Sequence, residues 1–252
     1  NIFTGNLGIS FHHRRPVLSI IGERFWNTMV LMLSALGFAY FFGILGGAFM
    51  AWRRGSKIEK MGVVFTLISR SAPIFWVGLL VLYIFSYKLG LIPPAGMSSL
   101  GTEIQGPSKF LSLDFLHHLV GPAIVLALYF LGYPMFIMRS SMLEILREDF
   151  IEICRAKGLK ERVILFKHAV RNALLPVVTA LAIAIGYALG GQVLIETVFS
   201  WPGLGRLIVR AVLARDYPLI QGTFFLMATI VVIMNFIADL IYGYLDPRVT
   251  YD

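Results

Sequence analysis

FWNTMVLMLSALGFAYFFGILGGAFMAW, residues 25–52, carries no charged side chain over 28 positions. An α-helix needs about 20 residues to cross a hydrocarbon core about 30 Å thick. A continuous run of this length, with no alternation of apolar and polar residues, reads as a membrane-spanning helix and not as a barrel strand. Outward from it, Met61–Tyr87, Leu119–Met138, Ala173–Ile195 and Pro218–Ala238 qualify in the same way, the first of them interrupted only by Arg70. The chain is therefore read as all-α and polytopic, with five transmembrane helices present.

Composition agrees. The chain is 58% hydrophobic and 14% charged, with mean hydropathy +0.78, against roughly 45–50% and 25% in soluble domains. The formal charge of +8 does not call for nucleic acid, because basic residues flank spans on the cytoplasmic side. Thirteen of the basic residues fall on one side: Arg53, Arg54, Lys57 and Lys60, eight between Arg139 and Arg171, and Arg248. Eight fall on the other: Arg14, Arg15, Arg24, Lys88, Lys109, Arg206, Arg210 and Arg215. The larger set marks the cytoplasm, which places the N-terminus outside. No apolar core precedes Pro16 to act as a signal, so a preceding span is expected, six in the intact protein. The expected organisation is an extracytoplasmic segment 1–24, a transmembrane domain 25–248 and a cytoplasmic tail 249–252. Within it lie a polar hairpin at 139–172 and an external loop at 196–217.

Small residues at four-residue spacing let membrane helices approach closely. Ala35, Ala39, Gly43 and Gly47 form one such face, and Ala182, Gly186 and Gly190 another. The hairpin is expected to be two short helices. Leu143, Leu146, Phe150 and Ile153 make an apolar stripe opposite Glu144, Glu148, Glu152 and Arg155. Gly158 suits a helix end, since glycine reaches left-handed backbone angles freely. A second amphipathic stretch follows with Val163, Phe166 and Val170. A helix lying on the lipid surface gives the same pattern.

Catalytic chemistry has no residue set here: no nucleophile has a base at useful spacing, and no GxxxxGK[ST] loop is present. The pairs His12-His13 and His117-His118 are poor two-ligand metal sites, because adjacent side chains point apart. Cys154, the single cysteine, reads as a small helical residue. Arg70 lies about 15 Å along a helix from Lys60. An intramembrane charge faces a partner or a water-filled path; an internal ion pair with Asp239, or snorkelling past the Pro73 kink, is one reading, and a place lining a path through the membrane is the other. Trp201 and Tyr217 suit a headgroup-level aromatic belt.

Several strings carry a resemblance to a known family. Glu152 and Gly158 hold the spacing of the coupling loop of ABC importer permeases (Glu-Ala-Ala, three residues, Gly), with Ile153 and Cys154 replacing the alanines. Arg155–Leu159, His168–Pro176, Glu196–Gly205, Arg215–Pro218, Leu245–Arg248 and Arg15-Pro16-Val17 resemble signatures of the dipeptide/oligopeptide/nickel subfamily. The resemblance implies the type I ABC importer permease fold in the plasma (inner) membrane. It implies a homologous second permease, two cytoplasmic ATPase subunits carrying ATP and Mg, and an extracytoplasmic solute-binding protein. It makes Glu152, Ala156, Lys157, Gly158, Leu159, His168, Arg171 and Asn172 the ATPase-coupling residues. Glu196, Trp201, Pro202, Gly203 and Gly205 would form the external gate, where the binding protein docks. Peptides are the implied solute, with nickel or glutathione uptake as alternatives within the family. An ion-coupled secondary transporter is the alternative from another class, although it calls for inverted repeats or paired intramembrane acids that the sequence lacks.

Overall fold

The protein was analysed as a computed structural model, which describes residues 6–99, 107–188 and 192–245. Among these, ten α-helices follow in order: α1 (Val17–Trp52), α2 (Lys57–Ser71), α3 (Ile74–Val81), α4 (Leu113–Ile145), α5 (Asp149–Ala156), α6 (Glu161–Val163), α7 (Val170–Ala188), α8 (Val193–Val198), α9 (Leu204–Leu213) and α10 (Tyr217–Leu245). Wide π-helical turns extend α3 through Leu82–Lys88 and join α6 to α7 through Ile164–Ala169.

Among the described residues, four unbroken stretches are long and apolar enough to cross a membrane: Val17–Trp52, Leu113–Ile145, Glu161–Gly186 and Tyr217–Ile237. The expected second span is a bent pair: Lys57–Ser71 and Ile74–Lys88 are together apolar and long enough for a fifth, broken span, turning by 98° between them. Met61–Tyr87 is not one helix, because Ala72 (ψ 131°) and Pro73 (ψ 121°) are extended. Proline disfavours the α conformation in the residue before it, so the run breaks into α2 and α3. The fourth run also ends earlier than expected. Gln192 is non-helical (φ −115°, ψ 82°) and a new helix starts at Val193. At the other end, α1 starts at Val17, eight residues before the uncharged run. Pro16 sits just ahead of that first turn, where a missing N–H costs nothing.

The chain forms two compact units. The first comprises residues 1–35, 73–126 and 185–233. Its core joins Val17, Ile20 and Ile21 of α1 to Leu204, Leu207 and Ala211 of α9 and Leu219 of α10. Close approach depends on Gly222, where a Cβ would stand 2.6 Å from the Val17 side chain. The second comprises residues 36–72, 127–184 and 234–252, and the small-residue face of α1 operates there. A Cβ on Gly47 would lie 2.4 Å from the Met135 carbonyl oxygen of α4, and one on Gly43 2.8 Å from Pro134. Lipid offers little hydrophobic drive between helices, so this backbone-level contact is what holds them. Ala35 and Ala39 are fully buried. On α7, Gly186 is buried and Ala182 half-buried, while Gly190 lies outside the described residues.

Candidate functional site

The hairpin begins where α4 ends. Arg139–Ile145 belongs to α4, and a turn closed by Arg147 N–H to Glu144 O (3.0 Å) and Glu148 N–H to Ile145 O (3.1 Å) leads into α5. Acidic Asp149 and Glu152 in its first turn suit the positive end of a helix. This turn corrects the expected stripe. Leu143 and Leu146 are not on the same helix as Phe150 and Ile153, Ile153 is 55% exposed, and the residue that anchors α5 is the fully buried Ile151.

Gly158 ends α5 as expected, with φ +74°. Leu159 N–H bonds to Cys154 O (3.2 Å) and Gly158 N–H to Arg155 O (2.9 Å), the paired closure of a Schellman motif. Arg155 Nε then bonds to Glu161 Oε1 at 3.0 Å across the turn; both side chains are about half exposed, so this ion pair adds little stability. Glu152, Ala156, Lys157, Gly158 and Leu159 form an exposed tip. Beneath it Ile164, Leu165 and Ala169 are buried. His168 is half-buried and its carbonyl accepts from Asn172 Nδ2 (2.9 Å), while Arg171 is exposed. The expected second short helix is the first part of a stretch that continues, through wide turns, into α7.

One ion pair below the hairpin was missed by sequence reading. Glu59 accepts from the Arg139 guanidinium and from Gly55 N–H, and Ser56 caps α2 by accepting from Glu59 N–H (3.3 Å). Ser56-x-x-Glu59 is a capping pattern that could have revealed the start of α2. Its link to Arg139, 80 residues away, has no local signal.

The expected external loop 196–217 is mostly helical: the end of α8, a turn, and α9. Its motif residues face inward. Glu196 and Trp201 are fully buried, as are Leu204 and Ile195. Their side chains are thus off the surface in this structure, whereas Tyr217 is 61% exposed, as an interfacial aromatic would be. The Glu196 carboxylate accepts from Thr28 Oγ1 (2.8 Å) and from Arg206 N–H (3.0 Å), capping α9 from a separate helix. Burial pushes its pKa up, against the hydrogen bonds from Arg206, Thr28 and Gly205. Gly203 gives it room: a Cβ there would lie 2.4 Å from the carboxylate. Gly205 would likewise bring a Cβ 2.8 Å from the Val193 backbone. Pro202 is half-buried.

Asn27 and Thr28, neither of which sequence reading singled out, hold this turn. Trp201 Nε1 donates to Asn27 O (3.0 Å), Asn27 Nδ2 donates to Pro202 O (2.8 Å), and Leu204 N–H donates to Thr28 Oγ1 (2.8 Å). Two polar residues inside the uncharged run were the available signal.

Asp216 makes a second internal lock. Fully buried, it accepts from Ser10 Oγ, from the N–H groups of Phe11 (3.1 Å) and His12 (3.1 Å), and from Leu219 N–H (3.4 Å). Burial pushes its pKa up, but the bonds from Ser10, His12 and Phe11 outweigh that and hold it below the usual aspartate range. A depressed folded-state value stabilises above the ordinary pKa of about 3.9, and that contribution is lost as pH falls through the folded value. Asp216→Asn is therefore expected to lower stability by about 2 kcal/mol near neutrality. Thermal unfolding in detergent should show the gap to wild type closing as pH falls below about 3.9 and through the lowered folded value; a pH-independent gap would contradict the assignment.

Arg70 is exposed, with its guanidinium carbon 5.8 Å from the centre of the Tyr133 ring, within cation–π range. The Asp239 side chain proposed as its partner lies outside the described residues. The histidine pairs turn to separate partners: His117 Nε2 to Leu91 O and His118 Nδ1 to Asp114 O, both at 2.8 Å. The rings of His12 and His13 meet edge to face, 5.2 Å apart. Among the described residues no group of three potential ligands converges on a metal site.

Long apolar helices, one broken apolar run and a glycine-closed polar hairpin define a polytopic membrane protein. Residues 43–251 match the family described as the inner membrane component of binding-protein-dependent transport systems, and the chain belongs to that family. It is 40% identical to a di/tripeptide transport system permease protein of Pseudomonas aeruginosa, covering all of this chain and 78% of that one. It is 41% identical to an oligopeptide transport system permease protein of Bacillus subtilis, again over all of this chain and 78% of the relative. A dipeptide transport system permease protein of Escherichia coli is 38% identical over 99% of this chain and 78% of its own length. The inward-facing methionine ABC transporter matches in fold with TM-score 0.71 at 17% identity, covering 91% of this chain and 97% of that chain. The expected ABC importer permease fold is thus the observed one, and the protein is an inner-membrane transport component.

Proposed function

We propose that this permease forms half of the pathway by which a peptide enters the cell, driven by ATP hydrolysed on partner subunits. The observation that carries the coupling reading is the hairpin tip, a short helix anchored by Ile151 and closed by main-chain bonds at Gly158. A rigid, exposed element of this kind can pass on a displacement; a slack loop cannot. The thirteen basic residues on its side of the spans support a cytoplasmic position. In this reading Glu152, Lys157 and Leu159 meet one of two ATPase subunits, which carry ATP and Mg, and His168 and Arg171 brace the base. A homologous second permease completes the pathway, and an extracytoplasmic solute-binding protein delivers the solute. The peptide assignment rests on relatives named for di/tripeptide, dipeptide and oligopeptide transport.

Reconstituted vesicles containing the complete transporter test this directly. Labelled dipeptide should accumulate only with ATP and the cognate binding protein. Accumulation without ATP would overturn the coupling, and uptake of a nickel complex or glutathione instead would overturn the peptide assignment. Arg70 is the candidate pathway residue, and its role in this reading is to meet the peptide carboxylate; its exposure supports that reading. Arg70→Gln is expected to lower uptake several-fold while leaving ATP hydrolysis coupled; normal peptide uptake would remove it from the pathway.

A further inference from the structure

Arg24, Arg206 and Arg210 converge on one cleft of about 40 Å³, together with His13, Pro202 and Gly203. Three guanidinium groups in so small a space repel one another, and two of them, Arg24 and Arg206, are half-buried. Burial, and then the charges of Arg210 and Arg24, push the Arg206 guanidinium down from its ordinary value. The nearby carboxylates are already engaged. Glu23 pairs with Arg15, Glu196 with Thr28 and the α9 amides, and Asp216 with Ser10 and the amides before α1. The Arg206 guanidinium does find the Ser200 carbonyl, but a carbonyl brings no net charge. Among the described residues no ion pair neutralises the three arginines.

The surroundings say what kind of anion fits. His13, Leu207 and Arg210 also line an adjoining recess of about 450 Å³, whose other walls are Ala211, Leu213, Ala214 and Leu219, with His12 and the already engaged Asp216 at its polar end. A cationic cleft thus opens onto a recess walled on one side by aliphatic side chains. Its depth is set by sequence: Arg24 immediately precedes the uncharged run 25–52, so the cleft stands at the edge of the hydrocarbon. Trp26 and Tyr217, both 61% exposed, sit at the starts of two spans, as aromatic residues do at headgroup level.

We propose that this cleft holds the phosphate of an anionic phospholipid, with the start of its acyl chain along Leu213, which is 80% exposed. An acidic patch on a soluble protein would satisfy the arginines but has no use for the aliphatic wall of the recess. The lipid would lower the mutual repulsion of Arg24, Arg206 and Arg210 and so steady α9 against α1, next to the turn that Trp201 and Pro202 build.

Native mass spectrometry of the intact transporter in detergent tests the proposal, with added phosphatidylglycerol or phosphatidylcholine of matched chains. Each basic residue near a lipid surface contributes about 1 kcal/mol, so Arg24→Gln combined with Arg210→Gln should weaken phosphatidylglycerol retention on the order of ten- to thirty-fold. Phosphatidylcholine retention should stay unchanged. Inorganic phosphate or glycerol phosphate, which lack the chain, should compete weakly; effective competition by either would make this a free-phosphate site and overturn the lipid assignment. Equal retention of phosphatidylglycerol by wild type and variant would overturn it as well. So would a variant that keeps the lipid but loses affinity for the binding protein, since the arginines would then serve protein docking. Leu213→Gln provides a second readout that leaves every arginine in place: it should weaken the long-chain lipid more than a short-chain one.

Discussion

Glu196→Ala is expected to destabilise the permease by about 3 kcal/mol, seen as a lower melting temperature in detergent and faster proteolysis near residue 200. The substitution strands Thr28 Oγ1 and the Arg206 N–H, both of which donate to the carboxylate, and leaves a cavity beside Gly203. Glu196→Gln separates shape from charge. Because burial raises the Glu196 pKa, the folded state holds its proton to higher pH than the unfolded chain does. Wild-type stability is therefore expected to decline as pH rises from about 4.3 through the folded value, while the glutamine variant lacks this slope. An unchanged melting temperature for Glu196→Ala would show that the carboxylate does not hold the turn.

Gly158→Pro should abolish coupling. Proline fixes φ near −65° and has no N–H, whereas Gly158 has φ +74° and donates to Arg155 O. The local cost is about 3 kcal/mol or more, and the tip loses its closure. Uptake and binding-protein-stimulated ATP hydrolysis are expected to fall at least tenfold, by order of magnitude, with membrane insertion intact. Gly158→Ala grades the effect. Nothing lies within 4 Å of a Cβ at this position, so its penalty is conformational alone, about 1 kcal/mol. Glu152→Lys changes only the charge of an exposed side chain and should uncouple without affecting the fold. If uptake and ATP hydrolysis survived both Gly158→Pro and Glu152→Lys, the hairpin would not be the coupling element.

The spans were legible because a membrane imposes a length and forbids charge, so a run such as residues 25–52 admits little else. The α1 face with Gly43 and Gly47 was legible for a related reason: only a missing side chain permits Met135 to come so near. What remained hidden depended on distant partners. Glu196 looked like a surface acid in a loop rich in glycine and proline, yet Thr28, 168 residues away, turns it inward. Trp201 looked like an interfacial aromatic until the Asn27 carbonyl claimed its N–H. The stripe through Leu143 and Ile153 failed because helical periodicity assumes one unbroken helix, and the turn at 146–148 resets the phase. Pro73 marks a kink in any helical reading of the second run, and the extended Ala72 before it converts that kink into a break.

The closure at Gly158 uses amides and carbonyls, so it is indifferent to which side chains decorate the tip. Ile153 and Cys154 can stand where alanines occur in other permeases without altering the bend. A connector built this way separates form from vocabulary: its outline is inherited through one glycine, and the residues it displays are free to drift until they suit a different motor. Exchanging residues 152–157 for those of another importer should therefore transplant partner preference while leaving the architecture of the hairpin untouched.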